Sequence, residues 1–122
     1  MLSGVKSIRP FVGAKDYEVS REFYKALGFE ETVISHDMCV FKSEKACFYL
    51  QAYYVKDWIE NTMLFLEVAD VEESYKELNQ LDLPGRFPGA KLSGIRYEDW
   101  GSECFLHDPS GVLWHIGEFK GA

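Results

Sequence analysis

His115 is the only histidine inside a predicted strand, close to the C-terminal end of the chain. A neutral imidazole can ligate a metal or exchange protons, and Gln51 offers a second lone pair at a strand position. Arg9 cannot ligate a metal in its protonated form. It could clamp the anionic group of a ligand or pair with a buried acid. His115 beside an acid such as Glu67 could act in acid–base catalysis, or it could simply hydrogen-bond to a neighbour.

Other catalytic signatures are absent from the sequence. It holds no serine nucleophile elbow, no paired-cysteine redox motif, no phosphate-binding glycine loop and no credible carboxylate pair. Trp100 stands out instead, because it follows Glu98 and Asp99 in a polar loop. An exposed aromatic near acids suits stacking on a planar, cationic ligand, and a contact between two copies of the chain explains it equally well. Trp114, by contrast, is expected in the core.

The composition indicates one globular domain spanning residues 1–122. Apolar residues make up 47% and aromatic residues 16%, so a substantial core is expected. The net charge of −7 argues against nucleic acid as a partner and favours a cationic ligand, although it also serves solubility. Three scattered cysteines predict reduced core residues and a cytoplasmic location. No signal peptide or membrane-spanning run is recognised, so no membrane partner is expected.

The elements that must position these residues occur twice along the chain. A strand over 7–13 precedes a helix that Asp16 caps and Gly28 ends, and strands follow at 29–35, 37–42 and 45–54. The pattern restarts with a strand over 61–68 and a helix that Asp70 opens and that fades near Gln80. Further strands follow at 90–97, 103–106 and 111–117, the last two flanking the turn 108–111.

A shift of 54 positions superimposes Asp16 on Asp70 and Leu27 on Leu81, which predicts a duplication. The predicted fold is α+β, with two βαβββ modules (about 7–54 and 61–118) forming a cupped, mostly antiparallel sheet. Side-chain alternation places one set of strand residues on the inner face of this sheet. That set is Arg9, Phe11, Gly13, Met63, Phe65, Glu67, Leu113, His115 and Gly117.

Two motifs resemble the vicinal-oxygen-chelate superfamily, which includes glyoxalase I, bleomycin-resistance proteins and extradiol dioxygenases. The run from Asp16 to Phe29 is similar to its first helix, and the run from His107 to His115 is similar to its last hairpin. Trp100-Gly101 and Glu60-Asn61-Thr62 most resemble the bleomycin-resistance proteins. The resemblance extends from about residue 8 to residue 118 and implies the glyoxalase/bleomycin-resistance fold.

The resemblance also implies where a metal would sit, with one ligand on each of four strands. Those positions fall on Arg9, near Gln51, on Met63 and on His115, so two of the four cannot serve. We therefore expect no metal and no cofactor; if a metal were bound, Gln51 and His115 would hold it. The alternative is a metal-dependent lyase, isomerase or ring-cleaving oxygenase of the same fold.

The function that the resemblance implies is binding without catalysis, of the antibiotic-resistance type. We expect a homodimer that sequesters a planar or cationic organic molecule in a groove. A stand-alone module whose groove has a regulatory partner is a third possibility. The residues expected to line the ligand site are Trp100, Phe11, Phe65, Arg9, Met63, Glu67, His115 and Gln51.

Overall fold

The computed structural model describes residues 2–121, so Met1 and Ala122 of the predicted domain lie outside the described part. Nine strands and four helices alternate along it in two similar blocks. The first block is β1 (Phe11–Gly13), α1 (Tyr17–Ala26), β2 (Glu30–Ser35), β3 (Met38–Ser43) and β4 (Ala46–Gln51). After α2 (Lys56–Glu60), the second block is β5 (Met63–Glu67), α3 (Val71–Gln80), α4 (Leu83–Arg86), β6 (Lys91–Leu92), β7 (Arg96–Tyr97), β8 (Gly101–His107) and β9 (Leu113–Phe119).

The long helices begin and end where the sequence predicts. The carboxylate of Asp16 accepts a hydrogen bond from the Val19 amide at 3.2 Å, which satisfies a free donor of the first turn of α1. Gly28, with φ of +103°, lets the chain leave that helix in the left-handed region. Asp70 caps α3 in the same way by accepting from the amides of Glu72 and Glu73 at 3.1 Å.

Each block forms its own sheet. The strand order is β1-β4-β3-β2 in the first sheet and β5-β9-β8-β6 in the second, with β7 also paired to β8. β1 and β5 lie at corresponding edges, and each pairs in parallel with the last strand of its block. All other strand pairs are antiparallel, so the predicted α+β duplication is confirmed.

The structure departs most clearly from the sequence prediction in the first strand and in the strand over 90–97. The first strand is only three residues long, since Pro10 has no amide to donate and residues 2–9 form no strand. The predicted strand over 90–97 is divided into β6 and β7. Between them, Ser93 accepts the Phe105 amide on its hydroxyl at 3.0 Å.

Two short helices were also not predicted. Residues 83–86 form the one-turn α4 where the sequence suggested only a chain break, because proline is tolerated in the first turn of a helix. A second short helix, α2, occupies the connection between the two blocks.

One face of each sheet packs into a single shared core. Tyr24 of α1 lies at its centre, where its hydroxyl donates to Asp108 at 2.6 Å and accepts from the Trp114 indole at 3.0 Å. Trp114 is 5% exposed and its ring centroid lies 5.2 Å from that of Phe48 on β4, so it is a core residue as predicted. Because these faces meet in the core, the opposite face of each sheet, here called its open face, turns towards solvent.

Candidate functional site

The open face of the second sheet begins on β5, an edge strand with strict alternation. Met63 and Phe65 are 67% and 44% exposed, while Leu64 and Leu66 between and beyond them pack against the core. Glu67 is exposed on the same side as Phe65. Successive residues of a strand point to opposite faces, and alternate residues share a face, so the predicted inner-facing set of this strand does share one face.

Five rings form a continuous aromatic group on that face, which we call the open-face cluster. Phe65 stacks on Phe119 at 5.3 Å between centroids, and Trp100 lies 6.1 Å from Phe65 and 5.5 Å from Phe119. His115 lies 6.3 Å from Phe65, nearly parallel to it, and 5.1 Å from Phe105 in an edge-on arrangement. Trp100, Phe119 and Phe65 are 39%, 43% and 44% exposed, so this cluster presents aromatic surface to solvent.

Gly117 of β9 sets the position of the Phe65 ring. A Cβ atom at residue 117 would lie 2.6 Å from the tip of that ring, closer than such atoms approach one another. The ring can therefore lie over the β9 backbone only because the residue beneath it has no side chain. The sequence placed Gly117 on the inner face, and the structure gives that glycine a packing role.

His115 is held by an acid, but by a different one from that expected. Its Nδ1 lies 2.9 Å from Glu103 Oε1 on the neighbouring strand, whereas Glu67 makes no bond to it. Nε2 of His115 is buried and has no hydrogen-bond partner within residues 2–121. A catalytic base must lie within hydrogen-bond reach of the proton that it transfers, and this nitrogen is enclosed by the protein.

A second histidine lies nearby on the same face. His107 of β8 is paired with Leu113 of β9, whereas His115 is paired with Phe105. The two histidines therefore lie two residues apart along the same face. Burial lowers the pKa of His107, and the charge of Lys91 lowers it further. His107 is thus expected to be neutral near pH 7, so it adds no positive charge to this face.

The acids around Trp100 are partly neutralised. Glu98 forms an ion pair with Arg96 at 3.3 Å, and Glu103 is engaged by His115. Asp99 is exposed and forms no ion pair within residues 2–121. Of the acids expected around Trp100, Asp99 is therefore without an ion-pair partner among the described residues, and the other two are paired.

The first sheet carries a smaller aromatic pair on its own open face. Phe11 stacks on Tyr49 at 4.7 Å with an interplanar angle of 14°, and Phe11 is 48% exposed. Gln51 lies opposite Gly13, and its amide nitrogen is 3.9 Å from Met38 Sδ. Within residues 2–121, no ring of this pair contacts the open-face cluster, because the two faces lie on opposite sides of the shared core.

Arg9 lies outside the sheet. It is exposed, precedes β1, and donates from Nε to the Ser7 hydroxyl at 3.2 Å. The buried acid considered as its partner is therefore not found among the described residues. In this structure Arg9 is not part of either aromatic group.

The donor set does not fit a metal. A row here means the residues that lie opposite one another on neighbouring strands. His115 is paired with Phe65, whereas Met63 is paired with Leu113, so these two expected ligand positions occupy different rows. In the first sheet the row equivalent to Phe65 and His115 holds Phe11 and Tyr49. One imidazole per four-residue row is too few to fix a transition metal. Residues 2–121 contain no group of three or more histidine, cysteine or acidic side chains that could hold an ion.

Sequence reasoning missed three members of these groups. Alternation on β8 would have found Phe105, since Glu103, Phe105 and His107 share a face. Phe119 lies beyond the predicted end of the last strand, because β9 begins and ends two residues later than predicted. The duplication relates Phe11 to Phe65, and Phe11 pairs with Tyr49 as Phe65 pairs with His115. Comparing the strand pairs of the two modules would therefore have identified Tyr49 as the equivalent of His115.

Solved structures with this fold span nearly the whole chain. The bleomycin-binding protein from Streptomyces verticillus, complexed with copper(II)-bleomycin, is similar with a TM-score of 0.81, 18% identity and coverage of 98% of this chain and 100% of that one. A bleomycin resistance determinant encoded on transposon Tn5 gives a TM-score of 0.80, 16% identity and coverage of 95% and 99%. Lactoylglutathione lyase from Agrobacterium tumefaciens is similar with a TM-score of 0.70, 14% identity and coverage of 95% of this chain and 96% of that one.

These likenesses establish the glyoxalase/bleomycin-resistance fold that the sequence motifs predicted. No protein-family model and no curated protein sequence matches the chain. Because proteins with one fold host both binding and catalysis, the choice between them depends on the residues of the open faces. Within residues 2–121, no helix is long and apolar enough to cross a membrane.

Proposed function

We propose that this protein binds a planar, positively charged organic molecule on the open-face cluster and sequesters it without chemical change. The observation that carries the proposal is the exposure of three contiguous rings, Phe65, Trp100 and Phe119, on one sheet face. Contiguous exposed aromatic surface marks a binding site in soluble proteins. The net charge of −7 favours a cation over an anion.

Binding rather than catalysis is supported by the donor set. The metal-dependent alternative requires several ligands on one row, and the row of the open-face cluster offers His115 alone. The imidazole nitrogen that could act on a ligand is enclosed and has no partner among the described residues. Two of the similar solved structures are described as bleomycin-binding or bleomycin-resistance proteins, which is consistent with this choice.

A second copy of the chain completes the site in this proposal. The open faces of the two sheets lie on opposite sides of the shared core, and each carries aromatic side chains that are partly exposed. β1 and β5 each have one edge without a neighbouring strand in their sheets, so each can approach a partner. Pairing the first module of one copy with the second module of another would bring Phe11 and Tyr49 opposite the open-face cluster and enclose a ligand between them.

The ligand site is tested by fluorescence titration with bleomycin and with ethidium as planar cations. Trp100→Ala should weaken binding roughly tenfold, because stacking and cation–π contacts contribute about 0.5–2 kcal/mol each and 1.4 kcal/mol is one decade. Tyr97→Ala is the matched control, since Tyr97 is an exposed aromatic three residues away that lies outside the cluster. Equal losses in both variants, or no binding of either compound to the unmodified protein, would refute the proposed site.

The dimer is tested by sedimentation velocity at micromolar concentration. The unmodified chain should sediment as a dimer and Phe65→Asp as a folded monomer, with its circular dichroism unchanged. Val33→Asp is the control, because Val33 is 61% exposed but shares a strand-pair position with the buried Cys39 and so lies off the open face. A monomeric unmodified chain would contradict the proposed dimer.

A further inference from the structure

A groove of about 910 Å³ lies apart from most of the open-face cluster, between the C-terminal ends of α1 and α3. Its floor is the core side of the second sheet, with Leu66, Trp114 and Ile116 at the bottom and Leu78 of α3 along one wall. At one end the groove passes over the free edge of β5 and reaches Phe65 and Phe119, two rings of the open-face cluster. Small-molecule sites have volumes of about 300–1,000 Å³ and mostly apolar linings, so the groove has the size and floor of such a site.

The rim of the groove is negatively charged. Glu44, Glu67 and Glu77 line it, are exposed, and form no ion pair or hydrogen bond through their side chains within residues 2–121. A fourth lining carboxylate, Glu118, accepts the Val71 amide at 2.9 Å. Lys45 is the only cation among the lining residues. Carboxylates without a partner beside an apolar floor favour a ligand that brings its own positive charge.

The backbone adds to this negative potential. Leu27 ends α1 and Leu81 ends α3, and both line the groove. The C-terminal end of a helix carries a partial negative charge. The two residues are equivalent under the shift of 54, so the duplication places the C-terminal ends of both helices beside one groove.

We propose that this groove is a second ligand site, selective for a lipophilic cation. The apolar part, an alkyl chain or a saturated ring, would cover the floor formed by Leu66, Leu78 and Ile116. The ammonium group would lie at the rim near Glu77. The groove shares Phe65 and Phe119 with the open-face cluster but does not include Trp100, so Trp100 distinguishes binding in the groove from binding on the cluster.

Calorimetric titration of the full chain with n-octylammonium tests the site. We expect millimolar or tighter binding, at least tenfold weaker binding of n-butylammonium because four methylenes leave the floor uncovered, and at least tenfold weaker binding of octanoate because its charge is reversed. Glu77→Lys should weaken octylammonium binding by roughly fivefold through charge repulsion at short range. Glu73→Lys is the control, since Glu73 lies one turn earlier on α3 and does not line the groove.

Trp100→Ala separates this proposal from the previous one, because it should leave octylammonium binding unchanged while it weakens binding of planar cations. Equal affinities for octylammonium and octanoate, or equal effects of Glu77→Lys and Glu73→Lys, would overturn the second site. A dimer that dissociates in Glu77→Lys while the unmodified chain takes up no octylammonium would also overturn it, since a second copy would then fill the groove.

Discussion

The two faces of the second sheet differ in the burial of their aromatic side chains and in how many of their polar atoms are hydrogen-bonded. On the core face, the Tyr24 hydroxyl, the Asp108 carboxylate and the Trp114 indole bond to one another and are all buried. On the open face, Phe65 is 44% exposed and His115 Nε2 has no partner among the described residues. One side of β9 therefore carries a buried hydrogen-bonded network, and the other side carries partly exposed aromatic rings and an imidazole nitrogen without a partner among the described residues.

This difference separates stability from function along a single strand. The core face joins the modules, because Tyr24 belongs to the first and Asp108 to the second. Changes there should alter the free energy of unfolding, whereas changes on the open face should alter binding and leave folding nearly intact.

The largest effect is expected at Asp108, which is fully buried in the turn between β8 and β9. Its Oδ1 accepts the amides of Ser110, Gly111 and Val112 at 2.9 Å. Asp108→Ala would leave these donors and the Tyr24 hydroxyl without an acceptor, and each buried donor so left costs about 1–3 kcal/mol. We expect a loss of about 3 kcal/mol or more in urea unfolding.

Two variants calibrate that loss. Burial raises the pKa of Asp108, so removing the carboxylate also removes an unfavourable burial of charge and offsets part of the cost. Asp108→Asn, which keeps an acceptor oxygen, should lose less stability than alanine. The exposed Asp99→Ala should lose none, and a loss there as large as at Asp108 would contradict the comparison.

A smaller effect on the core side concerns the link between α1 and β2. Arg21 binds Glu31 through Nε at 2.6 Å and Nη2 at 2.9 Å, and this pairing lowers the pKa of Glu31 from its ordinary 4.5 to about 2. A lowered folded-state pKa contributes stability that is present above pH 4.5 and lost as the pH falls towards about 2. Glu31→Gln should therefore remove part of the pH dependence in this window, amounting to about 1 kcal/mol or more.

Glu18→Gln is the matched control for Glu31. Glu18 binds the same arginine, at 2.9 Å, but its side chain is 70% exposed, so its pair is screened by solvent. Acid titrations of unfolding free energy should show a flattened curve for Glu31→Gln only. Parallel curves for Glu31→Gln and the unmodified protein would mean that this pair does not stabilise the fold.

The smallest effect on stability is expected on the open face at Gly117. Gly117→Ala would displace the Phe65 ring, whose tip is the nearest atom to the new Cβ, but a ring at the surface can move at little cost. The melting temperature should fall by only a few degrees, while planar cations bind roughly tenfold more weakly. Gly94→Ala, with open space around its Cβ, is the control and should change neither.

Much of the architecture was predictable from the sequence because its signals are local. Asp16, Asp70 and Gly28 mark helix ends through hydrogen bonds and backbone angles that depend on neighbouring residues alone. The alternation on β5 gave the exposed side of Phe65 for the same reason. The length of β1 was not predictable, since it depends on whether a distant strand pairs with residues 7–10.

The composition of the site was predicted only in part, because it depends on strand register. Counting from Asp16 and Asp70 placed Arg9 and Met63 beside His115, whereas the register pairs His115 with Phe65. Glu103 rather than Glu67 binds the imidazole, although both residues are paired with Gly117 from opposite sides of β9. Such cross-strand neighbours are set by pairing between segments far apart in sequence.

The most direct test of the central claim is to map amide chemical-shift changes on addition of ethidium. The claim is that the open face of the second sheet, and not its core face, binds the planar cation. The largest changes should fall at Phe65, Trp100, His115 and Phe119, with Tyr24 and Asp108 nearly unchanged. Changes centred on Leu27 and Leu81 instead, or spread evenly over both faces of β9, would contradict it.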